Sequence, residues 1–257
     1  MFKMNKTFKL VTAAFAAMVV STSAAFAAGD LVKAPKQDWS FNGPFGVFDR
    51  ASQQRGFQVF QEVCASCHSL DYIAFRNLTD IGFSADEAKA VAAEYEVPSE
   101  PNDEGEIVDR AAKPSDFWPS PYANAKEAAA VNNGKAPPDL SLMAKARVGG
   151  TDYIYALLTG YEDHEGTPEN LHYNKYYPGH YIAMAAPLSD GAVDYVDGTP
   201  NTVEQMAKDV SHFLMWTAEP KLEDRKTLGV RVMLFLLVLT FISFLAYRRV
   251  SKKVLGH

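Results

Sequence analysis

The sequence predicts a mainly α-helical fold with long loops and one C-terminal transmembrane helix. Three observations predict it: apolar residues recur at helical spacing, Pro and Gly cluster between those segments, and one uninterrupted apolar stretch lies near the C-terminus. The 257 residues are 47% hydrophobic, 12% aromatic and 22% charged, which is enough material for a buried core. This composition excludes a disordered or fibrous chain.

The charge is divided unevenly along the chain. The 25 basic and 31 acidic residues give a net charge of −6. Residues 1–27 and 248–257 contain seven of the basic residues and none of the acidic ones, which leaves −13 on residues 28–247. No nucleic-acid partner is expected, because neutralising phosphates requires a basic surface.

Residues 1–27 have the order of features of a secretory signal peptide. Three lysines precede the apolar stretch Leu10–Val20, and small residues then lead to Ala25-Phe26-Ala27. The apolar stretch is too short to span a bilayer, and the Ala-x-Ala pattern predicts cleavage before Ala28. We therefore expect the region that follows, residues 28–227, to be exported.

Residues 228–247 are predicted to form a transmembrane helix. Their uninterrupted part, Val232–Ala246, contains no charge, Pro or Gly. Twenty helical residues rise about 30 Å, the thickness of the hydrocarbon core. The basic tail, residues 248–257, predicts a cytoplasmic C-terminus. The chain is thus expected to cross a bacterial inner (cytoplasmic) membrane once, with residues 28–227 in the periplasm.

Helical patterns separate turn-rich segments throughout the exported region. The predicted helices are Asp49–Val63, residues 84–96, Ala123–Asn132, Thr151–Leu158 and Thr202–Trp216. Ser84 and Glu87 have the spacing of a capping box. Residues 97–121 hold five prolines and many acidic residues, and are predicted to form a surface loop or insertion.

The two cysteines of the chain stand in Cys64-Ala-Ser-Cys67-His68, the pattern of covalent c-type haem attachment. Thiols three residues apart can each add to one vinyl group of the same porphyrin. His68 is then carried under the ring as an axial iron ligand. Export favours the same interpretation, because c-type haem is attached outside the cytoplasm.

Three alternatives compete with haem at this motif. A thioredoxin-like redox pair requires a βαβ context, whereas the flanking pattern is helical. A zinc site needs further ligands, and His164, His172, His180 and His212 form no paired pattern. A simple disulfide between the two cysteines is the third. The coincidence of motif and secretion signal favours haem.

A second axial ligand would set the role of such a haem. A thioether raises the iron potential and closes the site to oxygen, which favours electron transfer. Met206 and Met215 lie on a predicted amphipathic helix and have an ordinary core interpretation. Met184 lies in a small-residue stretch that lets the backbone approach a flat ring. Met143 and His180 remain open as alternatives.

The ordered motifs of the chain resemble the cytochrome c1 family, bacterial type. They are Arg55-Gly56, Ala136-Pro-Pro-Asp-Leu-Ser141, Ala146-Arg147-Val-Gly-Gly150-Thr-Asp-Tyr153, Leu157-Leu-Thr-Gly-Tyr161, Tyr173-Asn174, Tyr177-Pro-Gly179 and Ile182-Ala-Met184-Ala-Ala-Pro187-Leu188. The resemblance covers nearly the whole chain and implies a cytochrome c-type haem domain with long loops and insertions.

The resemblance also implies roles for individual residues. One haem c would be attached through Cys64 and Cys67, with His68 and Met184 as iron ligands. Further residues would surround it: Arg147 and Tyr153 near a haem propionate, and Pro138 against the ring. Some bacterial members carry a second cysteine pair, which this chain lacks. Packing and hydrogen bonds must therefore hold its Met184 segment.

The function implied by the resemblance is that of an electron-transfer subunit of quinol–cytochrome c reductase, the cytochrome bc1 complex. Such a subunit accepts one electron from the Rieske iron–sulfur protein and reduces a soluble or tethered c-type cytochrome, while the complex translocates protons. It needs no catalytic acid, base or nucleophile of its own. The implied partners are cytochrome b, the Rieske protein, a basic c-type cytochrome and membrane lipid, in a homodimer of heterotrimers.

Acidic residues of the exported region could steer a basic acceptor. The candidates are Glu94, Glu96, Glu100, Asp103, Glu104, Glu162, Asp163 and Glu165. Two other functions remain open. One is another membrane-anchored c-type cytochrome, such as a tethered shuttle or the haem subunit of a dehydrogenase. The other is a haem-free thiol or metal module on a membrane stalk.

Overall fold

The structure, a computed structural model, describes residues 32–254. The predicted signal peptide, residues 1–27, and the last three residues of the basic tail lie outside the described residues. Within the described part, the mainly α-helical prediction is confirmed, with two short two-stranded antiparallel sheets added.

The elements follow one another in a simple order. The helices are α1 Arg50–Val59, α2 Ala85–Ala93, α3 Ala125–Val131, α4 Met143–Ala146, α5 Gly150–Thr159, α6 Val203–Ala218 and α7 Leu222–Val254. A π-helical turn, Phe60–Cys64, continues α1, and a 3₁₀ helix spans Phe75–Ile81. The strands are β1 Glu96–Pro98 paired with β2 Asp109–Ala111, and β3 His172–Tyr173 paired with β4 Tyr181–Ile182.

Helices α1 and α6 pack closely at the centre of the domain. Their contact passes through Gly56, where an added Cβ would lie 2.0 Å from the main-chain oxygen of Asp209. Only glycine permits this approach, which explains the Gly of the Arg55-Gly56 motif. Arg55 then reaches across the crossing, and its Nε lies 2.9 Å from an oxygen of the fully buried Asp209 carboxylate.

The segment predicted as a surface loop has more structure than expected. The capping box of Ser84 and Glu87 is confirmed, but α2 ends at Ala93 and not at residue 96. The chain instead enters β1, and residues 96–111 form a hairpin with Val97 opposite Arg110. Within the same proline-rich stretch, Trp118 is buried against the ring of Phe60.

Helix α7 contains the predicted span, residues 228–247, and extends beyond it at both ends, with 33 residues in total. Among the described residues it is the one helix long and apolar enough to cross a membrane, with a mean hydropathy of 2.4 over an 18-residue stretch. None of its apolar window is buried inside the domain. The helix therefore presents apolar side chains to its surroundings, as a membrane anchor does.

Candidate functional site

Both cysteines and His68 lie in one turn at the end of α1. The π-helical turn ends at Cys64, whose main-chain oxygen accepts hydrogen bonds from the amides of Cys67 (3.1 Å) and His68 (2.9 Å). Phe60, at the start of the turn, is fully buried and fixes it to the core. Two thiols and an imidazole thus project from a single rigid turn.

The two thiols are not joined to each other in the structure. Burial raises the pKa of the Cys64 thiol to about 12. A redox-active Cys-x-x-Cys pair has the opposite property, a lowered thiol pKa, and it lies in a βαβ unit instead of at the end of a helix. The raised thiol pKa and the position at the end of a helix therefore disfavour the thioredoxin-like alternative.

The imidazole of His68 is oriented by Pro138. Its Nδ1 lies 2.7 Å from the main-chain oxygen of Pro138. Because a carbonyl only accepts hydrogen bonds, Nδ1 carries the proton and Nε2 keeps a free lone pair. Burial lowers the pKa of His68 and so keeps the ring neutral. An imidazole held through one nitrogen, with the other free, is the arrangement of a metal-ligating histidine.

Asp139 holds the loop that carries Pro138 against the cysteine motif. Its Oδ2 accepts from the Ser69 hydroxyl at 3.1 Å and from the Asp71 amide at 2.8 Å. The amide of Leu140 also donates to the main-chain oxygen of Ser69, at 3.0 Å. These bonds join residues some 70 positions apart and fix the carbonyl that orients His68.

Arg147 and Tyr153 lie close together at the junction of α4 and α5. Arg147 is exposed at the end of α4, and Gly149 and Gly150 have φ values of 90° and 55° that turn the chain into α5. Burial raises the pKa of Tyr153, an effect opposed by the nearby charge of Arg147. The pair presents a cation and a neutral phenol donor, which suits a carboxylate.

Met184 lies outside the hydrophobic core and is half-buried in the segment after β4. The hydroxyl of Tyr161 donates to its main-chain oxygen at 3.1 Å. Asn174, which directly follows β3, is fully buried and donates to the main-chain oxygen of Leu157 at 2.7 Å. Hydrogen bonds thus hold the Met184 segment, as the lack of a second cysteine pair requires.

The other candidates for the second iron ligand contact the core or a neighbouring aromatic ring. Met206 is fully buried in the core, and Met143 and Met215 are half-buried and packed against it. The ring of His180 stacks on Tyr173, with 5.5 Å between centroids. Among the methionines of residues 32–227, Met184 is therefore the one that does not pack in the core or against it.

Two hydrogen bonds organise the predicted site residues. They join His68 to Pro138 and Tyr161 to Met184. Arg147 lies near enough to Tyr153 for its charge to oppose the rise that burial causes in the pKa of that phenol. Within residues 32–254, no hydrogen bond links the cysteine turn directly to the Met184 segment. Tyr161 lies in the motif Leu157-Leu-Thr-Gly-Tyr161. Its hydrogen bond to Met184 joins residues 23 positions apart, and no sequence pattern predicts this bond.

These residues fit a c-type haem. Such a group needs two free thiols and an imidazole with Nε2 available, both of which the cysteine turn supplies. It also needs a second ligand free of the core, for which Met184 is the candidate, and donors for its carboxylates, for which Arg147 and Tyr153 are the candidates.

Comparison with known proteins also indicates a haem protein. Residues 39–254 match the model of the Cytochrome C1 family. The chain is 50% identical to "Cytochrome c1" of Rhodospirillum rubrum over 224 residues, covering 80% of this chain and 82% of that protein. It is 46% identical to "Cytochrome c1, heme protein, mitochondrial" of Saccharomyces cerevisiae over 252 residues, covering 92% and 82%.

A third relative is a longer protein. The chain is 47% identical over 243 residues to "Cytochrome b/c1" of Bradyrhizobium diazoefficiens, covering 85% of this chain and 35% of that protein. The chain thus spans about a third of the length of this relative.

The fold, the site and these similarities define a class, the membrane-anchored haem proteins of electron transport. Within that class, the chain belongs to the cytochrome c1 family.

Proposed function

We propose that this chain is the haem-bearing electron-transfer subunit of a cytochrome bc1 complex, with one haem c attached through Cys64 and Cys67. The observation that carries the proposal is the 2.7 Å contact between His68 Nδ1 and the Pro138 oxygen, in the same turn as both free thiols. Membership of the cytochrome c1 family supports it.

The haem, when bound, supplies a one-electron iron centre, and the chain sets its properties. His68 would hold the iron through Nε2, and its bond to Pro138 would make it a stronger ligand. Met184 would hold the iron through its thioether, which would favour the reduced state and exclude small ligands such as oxygen. Pro138 lies beside His68 and would contact the ring.

Arg147 and Tyr153 would bind a haem propionate. The guanidinium supplies a charge-assisted hydrogen bond, and the phenol a second donor. A cation at this position also stabilises the iron centre after it gains an electron. These two residues would therefore both orient the group and raise its reduction potential.

The electron would come from the Rieske iron–sulfur protein and pass to a basic c-type cytochrome. All eight candidate steering residues of the sequence are exposed in the structure, including Glu100, Asp103 and Glu162. Exposed carboxylates in a region (residues 28–247) with a net charge of −13 attract a cationic partner, and this attraction weakens as salt screens it.

In the proposed assembly, α7 crosses the inner membrane beside cytochrome b and places its basic end in the cytoplasm. The haem domain then faces the periplasm, and two copies of a heterotrimer form the complex. The relative named "Cytochrome b/c1", in which both names occur on one chain, supports proximity to cytochrome b.

The experiment is purification of the full chain in mild detergent followed by rapid mixing with a reduced quinol. We expect cytochrome b and an iron–sulfur protein to co-purify. The haem should then be reduced by quinol and re-oxidised by a basic c-type cytochrome, at a rate that falls with salt. A haem chain that purifies alone and is not reduced by quinol would favour a tethered shuttle instead.

A further inference from the structure

The loop formed by residues 40–48, here called the apolar loop, has an unusual surface. Its sequence, SFNGPFGVF, contains no charged residue. Phe41 and Phe48 at its two ends are buried, whereas Phe45 and Val47 at its tip are 79% and 58% exposed. Two large apolar side chains thus project from a loop that is itself anchored in the core.

The tip is held in place by the conformation of the loop. The Val47 amide donates to the Ser40 oxygen at 3.1 Å and closes the loop. Gly46 has so little space that an added Cβ would lie 2.0 Å from the main-chain oxygen of Asn42. The rings of Phe41 and Phe48 lie 5.0 and 5.6 Å from that of His212. The loop therefore has a defined conformation, and this conformation keeps Phe45 and Val47 exposed at its tip.

The first turn of α7 binds the apolar loop directly. The Lys226 ammonium donates to the main-chain oxygens of Phe41 and Gly46, the latter at 3.0 Å. Glu223 accepts from the Phe48 amide at 2.7 Å and pairs with Arg50 at 2.8 Å. Three hydrogen bonds thus fix the loop to the end of the helix that enters the membrane, and the pair with Arg50 holds Glu223 in place.

These bonds set the level of the loop relative to the bilayer. Lys226 precedes Leu228, the first residue of the predicted span, by two positions, which is about 3 Å along the helix axis. Leu228 and the large apolar side chains from Val232 to Val250 are exposed on all sides of α7. The contacts of Lys226 therefore place the apolar loop beside the turn of α7 that leads into the predicted span.

We propose that Phe45 and Val47 insert into the lipid surface beside α7 and form a second, shallow contact between the domain and the membrane. The loop is continuous with the apolar surface of the anchor, and apolar side chains at this level gain by leaving water. Contact with lipid needs no extended complementary surface, so two apolar side chains at the tip of the loop are sufficient for it.

The proposal concerns the fixed orientation of the domain above the membrane, and it does not depend on haem or on the electron-transfer partners. It is tested by photocrosslinking in native membranes that contain the assembled full-length chain. Phe45 is replaced by p-benzoylphenylalanine, a photoreactive analogue of similar shape. The matched control is the same replacement at Phe117, which is 53% exposed and pairs with Ala74 in another part of the domain.

We expect irradiation to give a lipid-sized adduct at position 45, removable by phospholipase, and no such adduct at position 117. A protein-sized adduct at position 45 would overturn the proposal in favour of a neighbouring subunit. The absence of any adduct at position 45, or equal lipid labelling at both positions, would also overturn it.

Discussion

The hydroxyl of Tyr161 donates a hydrogen bond to the main-chain oxygen of Met184, with 3.1 Å between the two oxygens. Burial raises the pKa of Tyr161 well above its ordinary value, so the hydroxyl remains protonated and remains a donor. Tyr161 follows Gly160, the C-cap residue of α5. The bond therefore connects a helix of the core to the segment that carries the proposed second iron ligand.

Replacement of this phenol tests its positioning role. Tyr161→Phe removes the bond but keeps the ring, so we expect a lower midpoint potential and partial access of carbon monoxide to the reduced iron. Redox titration and the carbon monoxide difference spectrum measure both effects. Tyr72→Phe is the control, since this side chain is 65% exposed and its loss should change neither. Wild-type behaviour of Tyr161→Phe would show that packing alone holds Met184.

Replacement of the ligand itself should have a larger effect. Met184→Leu preserves size and removes the thioether, so we expect a sharp fall in potential and full binding of carbon monoxide. Met215→Leu is the matched control, because Met215 packs against the core. If Met184→Leu left the spectrum unchanged and Met143→Leu altered it, the ligand would be Met143.

The close contact of α1 and α6 at Gly56 predicts that a larger residue at this position strongly lowers the stability. Gly56→Ala places a methyl group against the Asp209 oxygen, where rigid main chain cannot yield, so we expect a loss of about 3 kcal/mol or more in the free energy of unfolding. Gly229→Ala is the control, since no atom lies within 4 Å of its added Cβ. Denaturant unfolding measures the difference. A mild effect at position 56 would contradict the close packing of α1 on α6.

His212 predicts a pH dependence of stability. Burial lowers its pKa to about 4, although Asp49 and Asp209 oppose this shift. In the unfolded chain the ring gains a proton near pH 6.5, so between these values the unfolded state binds more protons. The contribution of His212 is complete above pH 6.5. It falls as the pH is lowered toward 4, by at most about 1.4 kcal/mol per pH unit.

Unfolding measured at several pH values tests this contribution. We expect His212→Gln to flatten the slope between pH 6.5 and 4. Ser40→Ala removes the hydrogen-bond partner of the ring, at 3.0 Å, and should lower stability while the slope persists. A wild-type slope in His212→Gln would assign the pH dependence to other groups.

The sequence predicts those features that depend on local pattern. Helical periodicity identifies α6, the spacing of Ser84 and Glu87 identifies the start of α2, and an apolar run identifies α7. The Cys-x-x-Cys-His spacing likewise identifies the candidate haem turn. In each case the relevant residues lie within a few positions of one another, so propensity and spacing act directly.

The sequence does not predict features that depend on contacts between residues far apart along the chain. The hairpin of β1 and β2 lies in a proline-rich, acidic segment whose composition is typical of a loop. The role of Asp139 depends on Ser69 and Asp71, some 70 residues away. The polar first turn of α7, which precedes the predicted span, is stabilised by contacts with the apolar loop that the sequence does not reveal.

The central claim is that Cys64 and Cys67 hold a haem covalently, and the pyridine haemochrome spectrum of the purified full-length chain tests it most directly. The protein is first extracted with acidified acetone, which removes haem that is not covalently bound. We predict that all the haem stays with the chain and gives the spectrum of a porphyrin with both vinyl groups saturated. Haem found in the acetone, or a chain without haem, would contradict the account.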